Sequence, residues 1–252
     1  MEEIKINEDN VITYYKTEWN DRVLGFKTNE ISEIKFDSIE KGNELLSLFD
    51  KEAKLNNIIY SAIRINSDSK DLKFILEKSN YFNIETSIRV EFNLKRFEEN
   101  SFLEKFKISI EKSTIEDLKI IKNISNNEFN HGRFFEDPSF NISISKQRNL
   151  NWIDDLYEKS NLLIGKNKQN ICAFMFYKTT NSVVNFEMGG VDSKYSHLAY
   201  SFWYNIIKKM KEDGITNINT LVSGTNLGVI NLYSKFGFRF SNTLFGYRKI
   251  RR

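Results

Sequence analysis

The sequence predicts an α/β protein, a mixed and mostly antiparallel sheet flanked by helices, and three observations lead there. Residues 161–166, 171–178 and 182–191 ("NLLIGK", "ICAFMFYK", "SVVNFEMGGV") are short apolar runs joined by "NKQN" and "TTN" turns, the mark of successive strands. Helical patterns precede and follow this run, so strands and helices share one core. Hydrophobic content of 40%, with 21 Phe, 11 Tyr and 3 Trp, supplies that core and excludes global disorder.

Each element has its own warrant. "YSAIRIN" (60–66) reads as a strand, 69–82 as a helix, and "NIETSIRVEFNL" (83–94) alternates as a strand. The charged stretch at 95–106 marks a boundary, giving domains 1–105 and 106–252. Beyond it, 107–112 is a strand, and Ser113–Glu116 has the spacing of a capping box opening a helix to about residue 127. Asp137-Pro138 has turn character. A helix over about 144–159 sets Leu150, Ile153, Leu156 and Tyr157 on one side. After the three strands come a helix at about 199–213 stopped by Gly214, a strand at 215–222, and a short helix. Asn226 or Thr225 caps that helix and Gly237 ends it. Residues 238–250 read as a closing hairpin.

Composition narrows the function. A net charge of +3, from 37 basic and 34 acidic residues with no basic block, argues against nucleic-acid binding. The single Cys172 forms no intrachain disulfide, and two His with one Cys argue against a metal site. "MEEIKINEDN" lacks a secretory apolar run, and no segment approaches the ~18 apolar residues of a membrane span. A cytoplasmic protein without membrane contact is expected.

Residues 65–85 laid over 221–241 keep one strand–helix–strand pattern, matching Ile65 to Leu221, Asn226 to Lys70, Tyr233 to Glu77 and Gly237 to Tyr81. The first part then reads as a copy of the same unit without its polar residues.

The spacing Asn226, Val229, Tyr233, Gly237-Phe238 resembles the C-terminal motif of the GNAT superfamily of acyl-CoA-dependent N-acetyltransferases, and the likeness extends over about 107–252. Residues 17–36, 126–140 with 151–154, and the Tyr-bearing helix are more narrowly similar to the dTDP-fucosamine acetyltransferase group, in which a smaller degenerate GNAT-like lobe precedes the working domain.

The resemblance implies acetyl-CoA as co-substrate, a primary amine as acceptor (a nucleotide-linked amino sugar in the narrower group), no metal, and room for a homodimer. It casts Tyr233 as general acid. A phenol with a pKa near ~10 is protonated at neutral pH and can donate to a leaving thiolate. The competing reading is a core tyrosine. Glu187 is either the base that takes the amine proton or a solvent-facing carboxylate. Gly189-Gly190 would carry the bulge that splays the strand, with Gly190 and Val191 offering amides to pantetheine. Asn226 is a helix cap, a pantetheine–phosphate contact, or both.

The family's glycine-rich phosphate turn falls on "DSKYSHLAYSFW" (192–203), where its glycine positions are His197, Ala199 and Ser201. The helix dipole and Lys194 remain, but the space for a pyrophosphate is reduced. Arg133, Phe134 and Asp137 are expected beside the acceptor cleft, with Arg133 pairing a nucleotide-sugar phosphate or lying on the surface. Trp152 and Trp203 read as packing, and His131 stays open. Three functional readings follow: an N-acetyltransferase acting on an amino group such as that of a nucleotide-linked amino sugar, a degenerate GNAT-fold binding protein, and an acetyltransferase for a protein terminus or a small amine.

Overall fold

A computed structural model describes residues 1–106 and 108–251. Lys107, expected to open the strand at 107–112, lies outside the described residues, as does Arg252. The chain begins β1 (Glu2–Asn7), β2 (Asn10–Lys16), α1 (Glu18–Leu24), β3 (Lys27–Lys35), α2 (Ile39–Leu55), β4 (Ile58–Asn66), α3 (Lys70–Lys78) and β5 (Phe82–Asn93). It continues with α4 (Ser101–Glu104), β6 (Ile108–Lys112), α5 (Leu118–Glu128), α6 (Arg133–Glu136) and α7 (Ile142–Lys159). Then come β7 (Asn161–Asn167), β8 (Asn170–Thr180), β9 (Val183–Val191), α8 (Ala199–Glu212), β10 (Asn217–Ser223), α9 (Leu227–Lys235) and β11 (Arg239–Ile250).

Two compact units emerge, and they differ from the expected split at 105/106. One unit is Met1–Ser87 with Gly132–Arg148 and Asn242–Arg252, and the other is Ile88–His131 with Asn149–Ser241. The chain therefore changes unit four times: inside β5, between His131 and Gly132, inside α7 and inside β11. The closing segment is a single 12-residue strand rather than the expected hairpin.

In the N-terminal unit, β1, β2 and β3 are antiparallel neighbours, β3 pairs with β4 in parallel, and β4 pairs with β11. Its core sets Ile12, Ile31, Ile63 and Ile65 against Leu45, Leu46 and Phe49 of α2 and Ile75 and Leu76 of α3. In the C-terminal unit the order is β5-β10-β9-β8-β7-β6, with β9–β10 parallel and β6–β9 antiparallel throughout. One face packs α8 and α9 through Phe202, Trp203, Ile206, Ile207 and Tyr233. The opposite face packs α5 and α7 through Ile121, Ile124, Ile153 and Leu156.

The two units repeat one architectural device. In the C-terminal unit the parallel register ends at Phe186 opposite Thr220, and the β8–β9 register shifts immediately beyond it, leaving Glu187 as the extra residue. In the N-terminal unit the parallel register ends at Ile31 opposite Ile63, and the β2–β3 register shifts so that Ser32 is extra. Each bulge turns its strand away from its parallel neighbour. The following helices also correspond, since α3 and α9 both end at a left-handed residue, Asn80 (φ 61) and Gly237 (φ 76).

These fixed points correct the sequence echo by one residue. Thr220 matches Ile63, Asn226 matches Ser69, Tyr233 matches Leu76, and Gly237 matches Asn80. The three side chains at this junction are thus Ile31, Ile63 and Leu76 in the N-terminal unit, which offer no proton. In the C-terminal unit they are Phe186, Thr220 and Tyr233.

Candidate functional site

The β9–β10 wedge is where the C-terminal unit concentrates unusual backbone. Parallel pairing covers only Asn217–Thr220 against Val183–Phe186, while β9 runs on to Val191 and β10 to Ser223. Gly190 and Val191 lie on the diverging part of β9. The bulge expected at Gly189-Gly190 sits instead at Glu187. Gly190 serves a different purpose, because a Cβ there would meet the Phe129 ring at 2.6 Å.

At the vertex, the Thr220 hydroxyl donates to the Phe186 carbonyl at 3.2 Å. Tyr233 is 4% exposed, and its ring packs on Phe238 at 4.7 Å. Burial raises its hydroxyl above the usual tyrosine range, and the adjacent Trp203 indole and Thr220 hydroxyl partly offset that rise. The phenol is therefore protonated at neutral pH and sits beside the last rung before the strands part. Trp203 is buried as expected, and its indole N–H has no hydrogen-bond partner among the described residues.

Glu187 accepts hydrogen bonds from Ser160 Oγ (2.5 Å) and Lys178 Nζ (2.8 Å). The Asn226 side chain accepts from the Val229 amide at 3.1 Å and so acts as the α9 cap.

The turn leading into α8 is a 3₁₀ segment over Ser193–Leu198, with His197 exposed and Ala199 opening α8. Two of its amides are already bound by carboxylates. Asp192 accepts from the Lys194 N–H at 2.9 Å, and Glu128 accepts from the Ser193 N–H at 3.1 Å. Negative charge occupies the donors that a pyrophosphate would use.

One segment, residues 128–131, ties both lips of the wedge. Glu128 holds Ser193 after β9, Phe129 lies against Gly190, and His131 Nδ1 shares a 2.9 Å hydrogen bond with Thr225 Oγ1 after β10. Nothing in the local sequence reveals this strap, because its partners lie 65 and 94 residues away.

Arg133, Phe134 and Asp137 were expected at an acceptor cleft of the C-terminal domain. All three are buried, and they belong to the N-terminal unit. Arg133 donates to Glu30 at 3.0 Å, Asp137 accepts from Arg248 at 2.9 Å, and Phe134 stacks with Tyr60 and Phe140. Their charges are matched inside the fold rather than presented from a loop.

The sequence matches no family model. No curated protein matches it either. Solved structures do match. A GCN5-related N-acetyltransferase from Sphaerobacter thermophilus aligns with TM-score 0.67 at 11% identity, covering 96% of this chain and 76% of that one. The fold is that of the GCN5-related N-acetyltransferases. A functionally unknown conserved protein from Staphylococcus epidermidis aligns over 100% of this chain and 94% of its own, with TM-score 0.64 at 10% identity. A tandem GNAT protein from the clavulanic acid biosynthesis pathway aligns with TM-score 0.60 at 7% identity, over 88% and 75% of the two chains. The tandem neighbour accords with the repeated device in the two units. None of these three structures points to the narrower dTDP-fucosamine group. Among the described residues, no helix is long and apolar enough to cross a membrane.

Proposed function

We propose that the C-terminal unit is an acyl-CoA-dependent N-acetyltransferase that moves an acetyl group to a primary amine. The observation that supports this best is the Tyr233 phenol, protonated and set beside Thr220 where β9 and β10 part. In this reading the wedge receives the pantetheine arm, with Gly190 and Val191 offering backbone groups along β9. The amine nitrogen bonds to the thioester carbonyl carbon and the carbon–sulfur bond breaks. Tyr233 passes its proton to the departing thiolate, and the ammonium proton goes to Glu187 directly or through water. Solvent then returns a proton to Tyr233. Asn226 caps the helix that carries Tyr233 and so fixes its approach.

The acceptor class rests on the resemblance of the sequence. A nucleotide-linked amino sugar is its narrower form, set in a cytoplasmic protein. Assaying thiol release from acetyl-CoA with a panel of primary amines, including glucosamine and a nucleotide-linked amino sugar, tests this directly. Amine-dependent release by the parent chain supports the proposal, and none with any amine counts against it.

A second reading, a GNAT-fold protein that binds without catalysis, draws on Asp192 and Glu128 at the α8 turn. It predicts no thiol release and, where the donor site is lost altogether, no acetyl-CoA binding.

A further inference from the structure

A tyrosine that gives up its proton must hold a negative charge until solvent returns one. Among the described residues no charged side chain acts on the Tyr233 oxygen. Burial raises its hold on the proton, and the Trp203 indole and the Thr220 hydroxyl are the two polar side chains that lower it. A charge held away from water and left unpaired is costly, so a phenolate here needs a hydrogen-bond donor.

Thr220 is already committed. Its single hydroxyl proton goes to the Phe186 carbonyl at 3.2 Å, across the last rung of the parallel pairing. Trp203 is not. Its indole nitrogen can only donate, is completely buried, and has no hydrogen-bond partner among the described residues. It therefore faces the Tyr233 oxygen without bonding to it. Native folds rarely leave a buried donor unused. The ring is also firmly held. Trp203 is 4% exposed and meets Phe202 edge-on at 5.1 Å. Its helix, α8, is seated by Ile206 and Ile207 in the same core cluster as Tyr233.

We propose that Trp203 is a positioning residue for Tyr233, its indole N–H unpaired at rest and donating to the Tyr233 oxygen once the phenol proton has moved to the thiolate. The assignment rests on the acyl-transfer reading. In that step the O–H bond of Tyr233 breaks and an S–H bond forms on the leaving thiol. The phenolate keeps the electron pair until solvent supplies a proton. A donor that gains its acceptor only as charge appears favours the charged state over the resting one. It speeds the step without tightening acetyl-CoA binding.

The test places a fluorinated tyrosine, more acidic than tyrosine itself, at position 233 of the full chain and follows its ionisation by fluorine NMR. Trp203→Phe keeps an aromatic ring and removes the N–H. Its titration midpoint is expected about one pH unit or more above that of the chain with Trp203. Where Trp203→Phe does not fold, a benzothiophene analogue of tryptophan at 203, with sulfur in place of the N–H, keeps the shape and is expected to move the midpoint the same way. With ordinary tyrosine at 233, Trp203→Phe is expected to lower kcat for amine-dependent thiol release roughly ten- to hundredfold and to leave KM for acetyl-CoA unchanged. It should cost nothing further in the Tyr233→Phe background. An unchanged midpoint overturns the assignment, and so does an equal loss of kcat with and without the Tyr233 hydroxyl. Absence of thiol release from the parent with every amine overturns the acyl-transfer reading instead, and the midpoint still decides whether the indole answers the phenolate.

Discussion

Thr220 donates to the carbonyl of Phe186 across the last rung of the parallel β9–β10 pairing, and beyond this bond the two strands have no common register. Tyr233 rests beside it. Its hydroxyl, raised above the ordinary tyrosine range by burial, keeps its proton to a higher pH than a free phenol. Tyr233→Phe is expected to lower turnover by roughly a hundredfold or more while shifting stability by no more than about 1 kcal/mol. For the parent, the alkaline limb of the rate profile should fall only above pH ~10, the free-tyrosine value. Steady-state thiol release at varied pH checks both points. Full activity in the Phe variant would remove Tyr233 from the proton-donor role.

Gly190 and Phe129 form a second coupled pair. A methyl group at 190 would meet the ring at 2.6 Å, so the strap over the wedge must shift. Gly190→Ala is expected to cost about 1–3 kcal/mol by overpacking. Phe129→Leu should recover part of that loss in the double variant. Urea unfolding of the four proteins in the cycle measures the coupling, which should exceed about 0.5 kcal/mol. Strictly additive effects would mean that the ring does not press on this strand.

Much of this arrangement is legible in the sequence. The run β7–β8–β9 stands out because alternating apolar residues separated by short polar turns have few other solutions, and Asn226 and Gly237 announce the ends of α9. The bulge is placed wrongly from sequence because adjacent glycines invite it, whereas register between strands decides it and puts it at Glu187. The echo slips by one residue for a related reason. Asn80 takes the left-handed stop that Gly237 takes in the second copy, and an asparagine does not advertise that role as a glycine does. Arg133 and Asp137 read as loop residues because their partners, Glu30 and Arg248, are 103 and 111 residues away. Pairing over such distances leaves no local trace.

Arg133 also controls the acid response of the N-terminal unit. Burial pushes Glu30 up, but Arg133 outweighs it and holds the carboxyl below its usual range. Glu85 is likewise lowered against burial, by Arg64 and then Arg133. Folded values below the unfolded ~4.3 mean that this stabilisation is present above that pH and is lost as pH falls through the folded values. Arg133→Met is expected to cost about 3–5 kcal/mol at neutral pH by leaving buried carboxylates unmatched. It should also move the onset of acid unfolding upward. Urea midpoints between pH 3 and 7 decide it, and an unchanged acid profile would contradict this account.

Calorimetric titration of the full chain with acetyl-CoA tests the central claim, a working donor site in the β9–β10 wedge. The account predicts saturable binding at one site per chain with a dissociation constant below about 1 mM. Binding should tighten about threefold in Asp192→Asn, which keeps the cap at the α8 turn and removes a charge facing the phosphates. No binding at millimolar acetyl-CoA, in the parent and in Asp192→Asn alike, would contradict it.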